Sequence, residues 1–214
     1  MKTILHYGLV LLIIAGVAGV GLSFVDNLTK EPIKKAQAQA LTEGQKLVFP
    51  GASSFSEAEI LEGDVPVTFY RVFDSGKKLI GYELLYQVSG YQSQIKVLTG
   101  LDLEGKITAI KVLEQAETPG LGAEVEASPS DKTVWSAIAS LFKKVEEDIE
   151  EDLTPAFQAQ FKGKTPSDLT VVKTKNEKNI AALSGATITS EAVTKAVREP
   201  VNAFLKKFKP EEKK

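Results

Sequence analysis

The sequence predicts an α+β protein in which one N-terminal membrane-spanning helix precedes a domain with an antiparallel sheet flanked by helices. Three observations lead there. A charge-free apolar run occupies Tyr7 to Val25. From Val67 to Glu114, apolar and polar residues alternate in short segments separated by glycine-containing turns, the pattern of half-buried strands. Further on, apolar residues recur at helical spacing between Asp131 and Asp152 and again beyond Ser190.

Composition bounds the chemistry. A chain of 214 residues, 43% hydrophobic and 25% charged, holds enough apolar material for one folded domain plus an anchor. The net charge of −2 gives no basis for a nucleic-acid partner. With no cysteine and a single histidine, His6, there are no thiolate-held clusters, thioether haems or disulfides. A zinc site would rest on carboxylates almost alone. No catalytic or metal-ligating residue is therefore assigned, and any redox chemistry has to come from an organic cofactor.

The anchor comes first. Tyr7 to Val25 is about 19 residues, against the ~20 that cross a bilayer as a helix. A cleaved leader would have a shorter apolar core, about 7–15 residues, ending in an A-x-A-like site that is absent here. Ala15, Gly19 and Ser23 share one helical face, which is either a contact surface for other membrane subunits or ordinary small residues in an apolar helix. Lys30, Lys34 and Lys35 follow the span, but Asp26 and Glu31 lie among them, and long domains translocate largely regardless of such charges. The side of the membrane is not decided by the sequence. The expected organisation is an anchor over 1–30, a juxtamembrane helix and linker over 31–50, a folded domain over 51–209 and a charged tail over 210–214.

Within the soluble part, Pro32 suits a first helical turn, so Ile33 to Leu47 reads as a new helix. Phe49-Pro50-Gly51-Ala52 reads as a break. Val67 to Phe73, Leu79 to Val88, Gln94 to Leu101 and Lys106 to Glu114 read as strands joined by turns at Asp74-Ser75-Gly76 and Asp102 to Gly105. The stretch from Asp131 to Asp152 is expected to be a helix with Trp135 on its apolar stripe, ending in the acidic run Glu146 to Asp152, a solvated face. Leu169 to Lys173 reads as a short strand. The last helix is expected from near Ser190, with Pro200 kinking or ending it.

Two segments carry residues suited to binding chemistry. Ser184-Gly185-Ala186-Thr187-Ile188-Thr189-Ser190 places a glycine turn and several hydroxyls at the start of the last helix, where free N–H groups and the helix dipole attract phosphate. Glu117-Thr118-Pro119-Gly120-Leu121-Gly122 has Pro-Gly at the centre of a type II turn, which brings backbone N–H groups towards a flat ligand. Taken singly, each is explained more simply, as a Ser/Thr-rich helix cap and as a tight surface connection.

Together with Trp135, Phe161-Lys162-Gly163-Lys164 and the anchor, the two segments resemble the G subunit of the Rnf electron-transport complex. A close relative of that family is the C subunit of the sodium-pumping NADH:quinone reductase. The resemblance covers nearly the whole chain and is clearest from Tyr82 to Val197. It implies an FMN-binding domain with FMN joined by a phosphoester to Thr187, a bond made by a separate flavin transferase from FAD. It also implies cofactor contacts from Leu183, Ser184, Gly185 and Ala186 on one segment and Glu117, Thr118, Gly120, Leu121 and Gly122 on the other. Trp135 is expected in the core rather than on the flavin. The family's aspartate before the threonine motif is missing; Asn179 is the nearest polar residue in that stretch. The implied role is an electron-transfer subunit, not catalytic alone, of a ferredoxin:NAD oxidoreductase coupled to ion translocation. Its partners would be membrane and iron–sulfur subunits, and its place the bacterial inner membrane, single-pass, with the domain on the outer face. The quinone-reductase subunit and a non-redox tethered binding module are the alternatives.

Overall fold

The structure, a computed structural model, describes residues 2–126, 155–173 and 179–208. The expected helix over 131–152, Trp135, the acidic run and the charged tail lie outside the described residues.

One helix, α1, runs without interruption from Lys2 to Val48. Pro32 lies inside it rather than opening a second helix. The proline removes one backbone bond, but an apolar run precedes it and an Ala-, Gln- and Lys-rich segment of high helix propensity follows it, so helix propagates on both sides. From Ile4 to Leu28 its large apolar side chains are exposed, as a lipid-facing helix requires. It is the one helix among the described residues long and apolar enough to cross a membrane. The chain divides into two compact units after Thr42, so the last turn of α1 belongs to the second unit.

That second unit is built on an antiparallel sheet. Its strands are β1 (Ser54–Phe55), β2 (Glu59–Leu61), β3 (Val67–Phe73), β4 (Leu79–Ser89), β5 (Gln94–Asp102) and β6 (Ile107–Glu114). Strands β3 to β6 form a meander, while β1 and β2 both pair with the outer edge of β3. The four predicted strands are all present, nearly to the residue. Beyond them come a 3-10 turn at Gly122–Val125, the short α2 (Ala156–Ala159) and a 3-10 turn at Pro166–Asp168. A parallel pair follows, β7 (Val171–Val172) with β8 (Ile180–Ala181), and then α3 (Thr187–Lys207). Phe161 to Lys164 forms a turn in which Gly163 has φ 76° and donates its N–H to the Ile107 carbonyl at 2.7 Å, while the Lys164 carbonyl accepts from Ile107 N–H at 3.0 Å.

Helix α3 starts three residues earlier than expected and passes through Pro200 to Lys207. Both halves are held to the sheet by the same apolar stripe, since Val193, Val197, Val201 and Phe204 are all buried; that burial outweighs the ~3 kcal/mol an interior proline costs. Phe204 lies between Phe69 and Tyr82, with ring centroids at 5.4 and 4.8 Å. The opposite face of the sheet is covered by the end of α1. Val48 and Phe49 sit on Gly81 and Gly100, where an added Cβ would come within 2.5 Å of Phe49 and 2.3 Å of Val48, respectively. Glu83, on that same face, is fully buried.

Candidate functional site

The site is assembled by one carboxylate. Glu117 follows β6 and is 5% exposed. Its Oε1 accepts hydrogen bonds from the N–H groups of Gln92 and Ser93, both at 3.0 Å, and from the Ser93 hydroxyl at 3.2 Å. Its Oε2 accepts from the Thr189 hydroxyl in the first turn of α3 at 2.8 Å. Glu117 thus ties three segments together: the β4–β5 hairpin tip, its own loop and the start of the last helix. Burial pushes its carboxyl up, but the bonds from Thr189, Gln92 and Ser93 outweigh this and hold it below the ordinary carboxylate value. It is ionised at neutral pH.

The expected turn is present. Leu121 N–H donates to the Thr118 carbonyl at 3.1 Å, and Gly120 has φ 73°, as the third position of a type II turn demands. Gly122 is required by closeness, because a Cβ there would lie 2.7 Å from the Thr189 hydroxyl and 2.9 Å from the Glu117 carboxylate. Across from it, Gly185 has φ 75°.

Between these segments lies a cavity of ≈ 420 Å³, within the range of small-ligand sites. Seven of the residues singled out in the sequence line it: Glu117, Thr118, Leu121, Gly122, Gly185, Ala186 and Thr187. Leu183, Ser184 and Gly120 do not. Leu183 packs against the core, Ser184 is exposed outside the cavity, and Gly120 forms the corner of its turn. Asn179 also lies off the cavity lining. The structure adds three lining residues to that set: Tyr91, Ile188 and Thr189. Ile188 and Thr189 stand within the hydroxyl-rich segment, and Tyr91 is an aromatic residue in a glycine-containing hairpin tip.

The hydroxyls at the mouth of α3 divide sharply. Thr189 donates to Glu117, and Thr118 donates to the Gln92 side chain at 3.1 Å. Ser190 donates to the Ala186 carbonyl at 2.9 Å and accepts from Leu183 N–H at 3.0 Å. Among the described residues, Thr187 is the cavity-lining threonine whose hydroxyl has no hydrogen-bond partner, and it is exposed. Ala186 at the N-cap supplies no side-chain cap, so the first-turn N–H groups remain available to an anion.

A second cavity of ≈ 480 Å³ lies near the other end of α3, lined by Leu79, Tyr82, Leu101, Leu103, Phe204 and Phe208 among others. It is larger but has no helix N-terminus, and the negative end of the α3 dipole points there. No group of three or more His, Asp or Glu side chains able to hold a metal ion occurs among the described residues.

The profile of the FMN-binding domain family matches residues 90–202, more than half of the 214-residue chain. The chain belongs to the FMN-binding domain family. Relatives of this FMN-binding domain protein match along most of the sequence. The G subunit of the Na(+)-translocating ferredoxin:NAD(+) oxidoreductase complex of Acetobacterium woodii is 29% identical over 95% of this chain and 92% of its own length. The G subunit of the ion-translocating oxidoreductase complex of Methanosarcina acetivorans is 29% identical over 90% and 89%. The crystal structure of the C subunit of the Na(+)-translocating NADH-quinone reductase from Parabacteroides distasonis has a TM-score of 0.50 at 18% identity. It covers 83% of this chain and 96% of that one, a likeness of fold. The expected family resemblance and α+β class are borne out. The residues present fit FMN: an anion-ready helix start, a cavity of suitable size with largely apolar walls, and a glycine on each wall, Gly122 and Gly185, that lets the backbone approach a ligand.

Proposed function

We propose that this chain is the FMN-carrying G subunit of a membrane-bound, ion-translocating ferredoxin:NAD oxidoreductase complex, with the FMN phosphate esterified to Thr187. The carrying observation is the unpartnered, exposed Thr187 hydroxyl on the cavity at the uncapped start of α3. The relatives spanning most of the chain are named as G subunits, which favours this reading over the quinone-reductase subunit.

Bound FMN supplies one- and two-electron chemistry; the protein positions it, excludes water and sets the local field. The first-turn N–H groups of α3 stabilise the phosphodiester charge. Gly185 turns the chain so that the helix mouth faces the loop of Glu117 to Gly122. Ester formation joins the Thr187 oxygen to phosphorus of FAD, breaks the diphosphate and releases AMP, while the hydroxyl proton leaves to a base of the flavin transferase. Glu117, the one carboxylate lining the cavity among the described residues, is a poor acceptor for that proton because the bonds from Thr189, Gln92 and Ser93 hold its carboxyl below the ordinary value. Helix α1 anchors the protein as a single pass in a bacterial inner membrane, with the domain on the outer face and the complex's membrane and iron–sulfur subunits as neighbours.

Intact mass after coexpression with a flavin transferase tests the assignment. The wild type gains one FMN less water and Thr187→Val gains nothing, whereas Thr187→Ser, which keeps the hydroxyl, is loaded. An unmodified wild type, or a loaded Thr187→Val, overturns it. A protein that stays colourless in every form points instead to a tethered binding module.

A further inference from the structure

We infer that Tyr91 stacks on the planar ring of the bound flavin, held in place for that purpose by the Glu117 clamp. The inference rests on the FMN reading above and adds a residue that the family match does not assign.

Tyr91 lines the same cavity as Thr187 yet is 69% exposed. An aromatic ring left in water at a hairpin tip gains nothing from folding, since its apolar surface stays hydrated. Two further large apolar side chains on this cavity are also exposed, Leu121 at 43% and Ile188 at 55%. Single exposed apolar residues are ordinary, but three converging on one concave site mark a binding surface.

The backbone carrying Tyr91 is fixed on both sides. Gly90 N–H donates to the Ser93 carbonyl at 2.7 Å, closing the tip. Gln92 and Ser93, the next residues, donate to Glu117. The Ser93 hydroxyl also accepts from Ala116 N–H at 2.8 Å. Gly90 has to be glycine, because a Cβ would lie 2.5 Å from Glu117 Oε1. The carboxylate that anchors this tip also holds Thr189, two residues beyond Thr187. The ring of Tyr91 and the point of phosphate attachment are therefore set by one buried group, which fixes the span between them. A tethered ligand with a flat aromatic ring meets an aromatic wall at a fixed distance from its phosphate, and offset stacking is the preferred arrangement of such rings.

A phenol in contact with an excited flavin lends it an electron and recovers it, quenching emission with no net oxidation. Phenylalanine keeps the ring shape but does not quench, and tryptophan does. The full-length protein is coexpressed with the transferase, and emission is expressed per mole of FMN counted by intact mass. Wild type and Tyr91→Trp are expected to be strongly quenched relative to free FMN, with Tyr91→Phe several-fold brighter at unchanged mass. Equal emission from loaded wild type and Tyr91→Phe overturns the stacking inference while leaving the FMN reading intact. A wild type without the FMN mass removes the FMN reading itself, and the stacking with it. Tyr91 is largely exposed, so neither variant threatens the fold.

Discussion

Replacing Glu83 by glutamine should reshape the pH dependence of stability. Glu83 lies on the sheet face covered by the end of α1, opposite Tyr70 on β3 and Gly100 on β5. Its side chain is fully buried, and neither carboxylate oxygen has a hydrogen-bond partner. Burial pushes the carboxyl up to about 8 from its ordinary 4.5, with the Gln45 side chain of α1 acting in the opposite direction. Tyr70 is pushed up as well, by burial and then by Glu83.

The sign follows from proton counts. Between pH 4.5 and about 8, the folded state holds a proton that the unfolded state has lost, so stability falls as pH rises. The contribution is fully present below the lower value and fully lost above the higher one. At ~1.4 kcal/mol per pH unit, the whole window amounts to roughly 5 kcal/mol. Glu83→Gln keeps the shape and removes the titration. Urea unfolding of the full chain in detergent, for both proteins across that window, should show the wild type losing roughly 5 kcal/mol relative to the variant. Parallel curves would mean that Glu83 ionises in the folded protein with its ordinary affinity for protons, and that the reading of this buried face is wrong.

Glu117 titrates with the opposite sign: its stabilising contribution is present above the ordinary carboxylate value and disappears as pH falls through its lowered folded value. Glu117→Gln should therefore flatten the acid limb of the unfolding profile and reduce FMN loading, checked by the same urea series and by intact mass. Gly122→Ala forces a methyl group between Thr189 and Glu117, and about 1–3 kcal/mol of stability should be lost along with part of the FMN mass. Phe204→Ala opens the core beneath α3 and should cost ~3–5 kcal/mol in chemical unfolding without altering the Thr187 hydroxyl.

Strands β3 to β6 are legible because apolar residues alternate along them or run together, as in β5, which is buried on both faces from Val97 to Leu101. Strands β1 and β2 leave no such record. They are two and three residues long and owe their existence to the edge of β3, where Ser56 accepts from Arg71 N–H at 2.9 Å and Glu59 pairs with the Arg71 guanidinium at 2.7 Å. Glu83 shows the complementary failure. Alternation assigns it to the face opposite Leu84, which reads as the solvent face of a one-sided sheet. The end of α1 covers that face, and the local hints are Gly81 and Gly100, which make room for Val48 and Phe49. Both interior prolines read as helix boundaries from local cost alone, whereas strong helix formers around Pro32 and buried packing around Pro200 override it.

For the site, local chemistry marks both loops, since positive φ at Gly120 and Gly185 is a property of the residue and its immediate turn. What joins the loops is not local. The bond from Thr189 to Glu117 spans 72 residues, and nothing in either segment says which of several hydroxyls the carboxylate will take. Helix geometry supplies the answer once the start of α3 is known. At about 100° per residue, positions two apart point to nearly opposite sides of a helix. If Thr189 faces inward to the carboxylate, Thr187 must face outward into the cavity. Fixing one hydroxyl is thus what exposes the other. Moving the anchor by one residue, as in the paired change Ile188→Thr with Thr189→Ile, should turn the first turn of α3 and reduce FMN loading even though Thr187 is untouched. Full loading of that double variant would show that the transferase reads the motif as a flexible segment, and that the Glu117 clamp has no part in presenting it.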